Sequence, residues 1–71
     1  MKYAVYFTWN DDGTRDSINC DNALDRDLNL KELIKRKEFS EICWCKIYAS
    51  GEYGQRHFVK EYKGGIVQWK E

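Results

Sequence analysis

From Lys2 to Trp9 the chain alternates strictly, with Tyr3, Val5, Phe7 and Trp9 on one side and Lys2, Ala4, Tyr6 and Thr8 on the other. That period of two is the mark of a half-buried β-strand, and the more apolar set is expected to face the core. Asn10-Asp11-Asp12-Gly13 follows, supplying side chains that bond their own backbone and one residue free to take positive φ. Thr14 to Cys20 then reads as the returning strand of a β-hairpin, with Ile18 and Cys20 inward.

The pattern changes at Asp21. Asn29 followed by Glu32 resembles a capping box, and Leu30, Leu33, Ile34 and Lys37 share one helical face, which predicts a helix from Asn29 to Glu38. Leu24 and Leu28 would extend the apolar stripe backwards, making Asp21 to Asp27 an earlier helical turn or an ordered loop. Glu41 to Ala49 is rich in strand formers on both sides, one set being Cys43, Cys45, Ile47 and Ala49 and the other Ile42, Trp44, Lys46 and Tyr48. A turn bracketed by Gly51 and Gly54, a strand from Arg56 to Lys63, a reversal at Gly64-Gly65 and a strand from Ile66 to Lys70 complete a three-stranded meander. The fold class is α+β: one domain over residues 1–71, β-β-α-β-β-β, with a largely antiparallel sheet and one helix packed on one face. The place of the third strand, beside the first or beyond the hairpin, is left open by the pattern.

Three Trp, five Tyr and three Phe in 71 residues make ring area the dominant feature of the composition. If Tyr3, Val5, Phe7, Ile18, Cys43, Cys45 and Ile47 meet the helix, then Tyr6, Trp44 and Tyr48 lie on the opposite face, joined by Phe58 with Tyr62 or by Val59 with His57 according to register. A helix of about ten residues is only about 15 Å long, so that second face is expected to present rings to a partner. The expected docking residues are Tyr6, Trp44, Tyr48, Phe58 and Tyr62, with Lys46, Arg56 and Lys60 as a charged rim. The competing reading is that long Lys and Glu side chains such as Lys46 and Lys60 cover these rings with their aliphatic stems.

Charge adds little to this. Twelve basic residues balance twelve acidic ones, which removes the footprint of a protein living on phosphate backbones. Residues 1–30 are net acidic, with six Asp against Lys2, Arg15 and Arg26, and the remainder is net basic by the same amount. Lys35, Arg36 and Lys37 could follow a nucleic-acid backbone while rings stack on bases, the alternative function. Their ordinary role is to complement a helix C-terminus. A third alternative is a homodimer closed through the aromatic face.

No apolar run is long enough for a signal peptide or a membrane span, and an odd number of cysteines suits reduced thiols, so a cytoplasmic protein without membrane attachment is expected. Three Cys and His57 could in principle hold zinc, but Cys43 and Cys45 fall within a strand rather than a turn. Neither a metal, nor a cofactor, nor catalysis by a Cys–His pair is expected. The acidic loops lack the ligand spacing of a calcium-binding loop.

The order hairpin, helix, then a meander ending in Ile66-Val67-Gln68-Trp69, in so short a chain with crowded aromatics, resembles that of some small anti-CRISPR proteins of phages and other mobile elements. The resemblance implies a non-enzymatic inhibitor that docks on a host nucleic-acid-handling complex, and it assigns no residue a role.

Overall fold

The computed structural model describes the backbone of residues 1–63 and 66–70 and the side chains of residues 1–59. Five strands, β1 (Lys2–Trp9), β2 (Arg15–Cys20), β3 (Phe39–Ile47), β4 (His57–Lys63) and β5 (Ile66–Lys70), and one helix, α1 (Ala23–Arg36), build the α+β domain. The sheet is antiparallel throughout in the order β2-β1-β3-β4-β5, so β3 pairs beside β1. The Gly64-Gly65 reversal lies outside the described residues.

The β1–β2 turn is built by its own side chains. Asp12 Oδ1 accepts from the Thr14 N–H at 2.9 Å, the Gly13 N–H donates to the Trp9 carbonyl at 3.0 Å, and Gly13 takes φ 73°. The left-handed conformation at that position is the reason for glycine there.

The helix begins earlier than the capping-box signal suggests. Asn22 is the N-cap, its side chain accepting from the Asp25 N–H at 2.8 Å, and α1 runs 14 residues to a left-handed Lys37 at φ 56°. Asn29 is therefore an interior residue, and its amide donates to the Asp25 carbonyl at 2.9 Å. Leu24 and Leu28 do not extend the core stripe: they point away from the sheet, Leu24 being 71% exposed, while Leu30 and Leu33 are buried. A register of 3.6 residues per turn separates the two leucine pairs onto opposite sides of the helix.

The face of β3 that meets the helix also differs from expectation. Val5 pairs with Trp44 and Phe7 with Ile42, so Trp44 joins Val5, Phe7, Cys20, Leu30 and Leu33 in the core at 5% exposure. Cys43, Cys45 and Ile47 lie on the other side. Both alternating sets of this strand are apolar, so alternation could not choose; burying the larger indole under the helix removes more apolar area from water. Arg26 is buried with it, its guanidinium 4.2 Å from the Trp44 ring and 4.7 Å from the Tyr3 ring and bonded to Asp27 at 2.9 Å. His57 stacks on the Trp44 ring at 4.3 Å. At the other end of the helix Phe7, Trp9 and Phe39 form an edge-to-face trio with centroids 4.7–6.1 Å apart.

Replacing Trp44 with Ala is expected to destabilise the domain by about 3–5 kcal/mol, which in a chain this small abolishes cooperative unfolding. Asn22→Ala should cost about 1 kcal/mol through loss of the cap. Urea titration followed by circular dichroism measures both.

Candidate functional site: the helix-free sheet face

Opposite the helix, the strand register lays out a grid. Ser17, Tyr6, Cys43 and Phe58 form one cross-strand row, and Arg15, Thr8 and Glu41 the next. Asn19, Ala4 and Cys45 form a third row. Ala4, Thr8, Cys43 and Cys45 are the small side chains of the two middle strands, which also carry Tyr6 and Glu41, with Arg15 on one flank and Phe58 and Arg56 on the other. The result is an open groove of about 420 Å³ lined by Tyr6, Thr8, Arg15, Cys43, Arg56 and Phe58.

Part of this face is covered by the chain itself. After β3 the backbone reverses, the Tyr48 N–H donating to the Glu52 carbonyl and the Gly54 N–H to the Lys46 carbonyl, and Tyr53 bridges Ile47. Gly51 holds φ 89° in this turn, and a side chain on Gly54 would press within 3.2 Å of the Tyr48 ring. The segment brings the Tyr53 ring to 6.5 Å from Tyr6 and the Arg56 guanidinium to 4.9 Å from the same ring. Ala4, Cys43 and Cys45 are buried although no helix lies over them. Arg56 thus covers part of the Tyr6 ring, whereas the side chains expected to give such cover are Lys46, which is in register with the helix side, and Lys60, whose side chain lies outside the described residues.

What stays open is aromatic and charged. Tyr53 is 55% exposed, Tyr48 45% and Phe58 40%, and Tyr6 is half-buried. Neither Arg15 nor Arg56 belongs to the ion pairs found among the described residues, which join Arg26 to Asp27 and Arg36 to Glu38. Asp16 beside Arg15 is turned to the helix side, where its carboxylate accepts from the Trp9 indole N–H at 2.8 Å.

Burial is the leading cause that raises the Tyr6 hydroxyl above its ordinary pKa, followed by Cys45 and Tyr53 and opposed by Arg56. The Cys43 and Cys45 thiols are raised mainly by burial and opposed by Arg56; burial and Asp25 raise Cys20. These thiols are held protonated, the opposite of an activated nucleophile. Cys20 and His57 belong to the helix side, and Cys43 and Cys45 to the groove side.

The predicted docking set is thus brought together in part. Tyr6, Arg56 and Phe58 converge on the groove. Trp44 does not, because it is core. Lys46 pairs with Tyr3 and so sits in register with the helix side rather than the groove. Tyr48 is in the β3–β4 connection, exposed beside Gly54. The side chains of Lys60 and Tyr62 lie outside the described residues. Sequence reasoning misses Arg15 and Tyr53, although Tyr53 between two glycines is a visible sign of a ring held in a turn. Lys35, Arg36 and Lys37 end the helix on the far side of the sheet from the groove. There Arg36 bonds Glu38 at 3.1 Å and lies 5.4 Å from the Trp9 ring and 5.3 Å from the Phe39 ring. The groove rings Tyr6 and Phe58 and the basic helix end therefore do not share one surface.

Among the described residues no helix is long and apolar enough to cross a membrane. Neither the protein-family models nor the curated proteins nor the solved structures contain a significant match to this chain.

The raised thiols set a pH dependence. The folded state keeps protons that the unfolded chain releases above about pH 8.5, so their contribution is complete at neutral pH and declines as pH rises past that range. The urea midpoint should fall between neutral and alkaline buffer, and fall less in a Cys43→Ala, Cys45→Ala variant. Equal losses in the two proteins would assign the alkaline sensitivity to other groups.

Proposed function

We propose that this chain is a small non-enzymatic binding protein that occupies a partner protein through the helix-free sheet face. The observation that carries the proposal is the groove itself. Exposed Phe58 and Tyr53 stand beside Tyr6, and the guanidinium groups of Arg15 and Arg56, outside the ion pairs of the described residues, flank a floor of small side chains. Rigid aromatic anchors with a polar rim are the usual composition of a protein-binding patch. Raised thiol pKa values and the separation of His57 from Cys43 and Cys45 favour binding over thiol catalysis.

The partner is a protein rather than nucleic acid in this reading. Glu41 stands in the same cross-strand row as Arg15, the overall charge is zero, and the basic helix end is on the opposite side of the sheet. The element order resembles that of small anti-CRISPR proteins of phages and mobile elements, which supports an inhibitor acting by steric occupation of a host nucleic-acid-handling complex in the cytoplasm.

A photo-crosslinking residue placed at Phe58 and, separately, at Leu28 on the outer side of the helix tests this in lysate of the native host. Capture of one protein complex from position 58 and none from position 28 is expected; the reverse would assign docking to the helix. Once the partner is in hand, Phe58→Ala should weaken binding by about 2 kcal/mol, roughly thirtyfold in Kd. Its melting temperature should stay close to that of the parent.

A further inference from the structure

We propose that the free edge of β2 pairs antiparallel with the same edge of a second copy of this chain, Ile18 facing Ile18 across a twofold axis. The inference is independent of what the groove binds.

The backbone bonds fix which groups of β2 are unused. The Trp9 N–H donates to the Thr14 carbonyl on the β2 side, and the Asn10 N–H to the Glu38 carbonyl on the β3 side. By alternation, odd residues of β1 bond towards β2 and even ones towards β3. Their partners Asp16, Ile18 and Cys20 are therefore bonded to β1, while Arg15, Ser17 and Asn19 direct their N–H and C=O groups out from the edge.

This edge carries the charges of Arg15 and Asp16 but lacks the stronger forms of protection. β2 contains neither Pro nor Lys, its pairing with β1 runs without a bulge, and α1 packs chiefly over β1 and β3. Such an edge is a template for another strand.

The side chains then select a copy of the same chain and one register. With Asp16 opposite itself, like charges meet at the close spacing. With Ser17 opposite itself, each Asp16 carboxylate faces an Ile18. With Asn19 opposite itself, Arg15 overruns into the helix start of the other copy. With Ile18 opposite itself, Arg15 stands across from the second copy's Asp21, Ser17 from its Asn19, and the two isoleucines meet side by side on the helix side of the sheet. Arg15 and Asp21 are both exposed and outside the ion pairs of the described residues, and Ile18 is half-buried at the edge. A twofold axis normal to the sheet puts both helices on one side and both grooves on the other. The joined molecule therefore presents the docking face twice on a single continuous sheet.

Sedimentation equilibrium of the full chain over a range of micromolar concentrations, with hydrogen exchange at the Ser17 and Asn19 amides, tests the pairing in the unaltered protein. The expected result is a reversible dimer in which protection of those two amides rises with concentration. Arg15→Asp and Asp21→Arg should each weaken self-association about tenfold or more. An equimolar mixture of the two variants should associate again, because each contact between position 15 of one copy and position 21 of the other then joins one carboxylate to one guanidinium. A monomer at all concentrations, or a dimer indifferent to Arg15→Asp and without protection at Ser17 and Asn19, overturns the proposal.

Discussion

One pairing governs this domain: Val5 of β1 stands opposite Trp44 of β3. The side-chain period of a strand is two, so a slip of one residue would exchange everything β3 presents to the two sides of the sheet. In the observed register the indole lies under the helix between the Arg26 guanidinium and the His57 ring, against Val5, Leu30 and Leu33. Burying an aromatic side chain of about 150–250 Å² contributes about 4–6 kcal/mol at roughly 25 cal/mol per Å². That is comparable with the entire net stability of a domain this size. The same pairing puts Cys43 and Cys45 beside Tyr6 and Ala4 and thereby makes the floor of the groove small enough to be a groove.

The second face follows from what the first consumes. Tyr3, Phe7, Trp9, Phe39 and Trp44 are all committed to the helix side, in two clusters at either end of α1. The β3–β4 connection then lays Tyr53 and Arg56 against Tyr6, so the chain shields part of its own sheet without a second helix. What is left for a partner is narrower and more polar than the aromatic content suggests. It is a trough with Phe58 and Arg56 on one flank and the edge strand β2 on the other, the strand whose outer backbone groups are available. The exposed rings and the free strand edge are thus neighbouring but separate features of one surface.

Much of this is legible in the residues. Strict alternation from Lys2 to Trp9, the Asn-Asp-Asp-Gly turn and the glycine-bracketed turn after β3 mark strands and their sequence, and alternation sets Tyr6 apart from Val5 and Phe7, while the choice between Phe58 and His57 for the helix-free face is made by the β3–β4 register. The helix start is not legible, because Asn29 with Glu32 has the form of a cap, whereas Asn22 with Asp25 has the geometry of one. The assignment of Trp44 fails for a different reason. Where both sets of a strand are apolar, alternation carries no sign, and the choice is made by volume under the helix and by the Arg26 and His57 side chains that sandwich the ring. The flanking glycines mark Tyr53 as a turn residue, but the contact of its ring with Tyr6 depends on how the connection folds back across the sheet.

Hydroxyl-radical footprinting of the native protein, read residue by residue by mass spectrometry, addresses the register directly. Strong modification of Tyr53 and Phe58 is expected, with weaker modification of Tyr6 and little at Trp44. Modification of Trp44 to the extent of Phe58 would show β3 turned over and would contradict the groove and everything inferred from it.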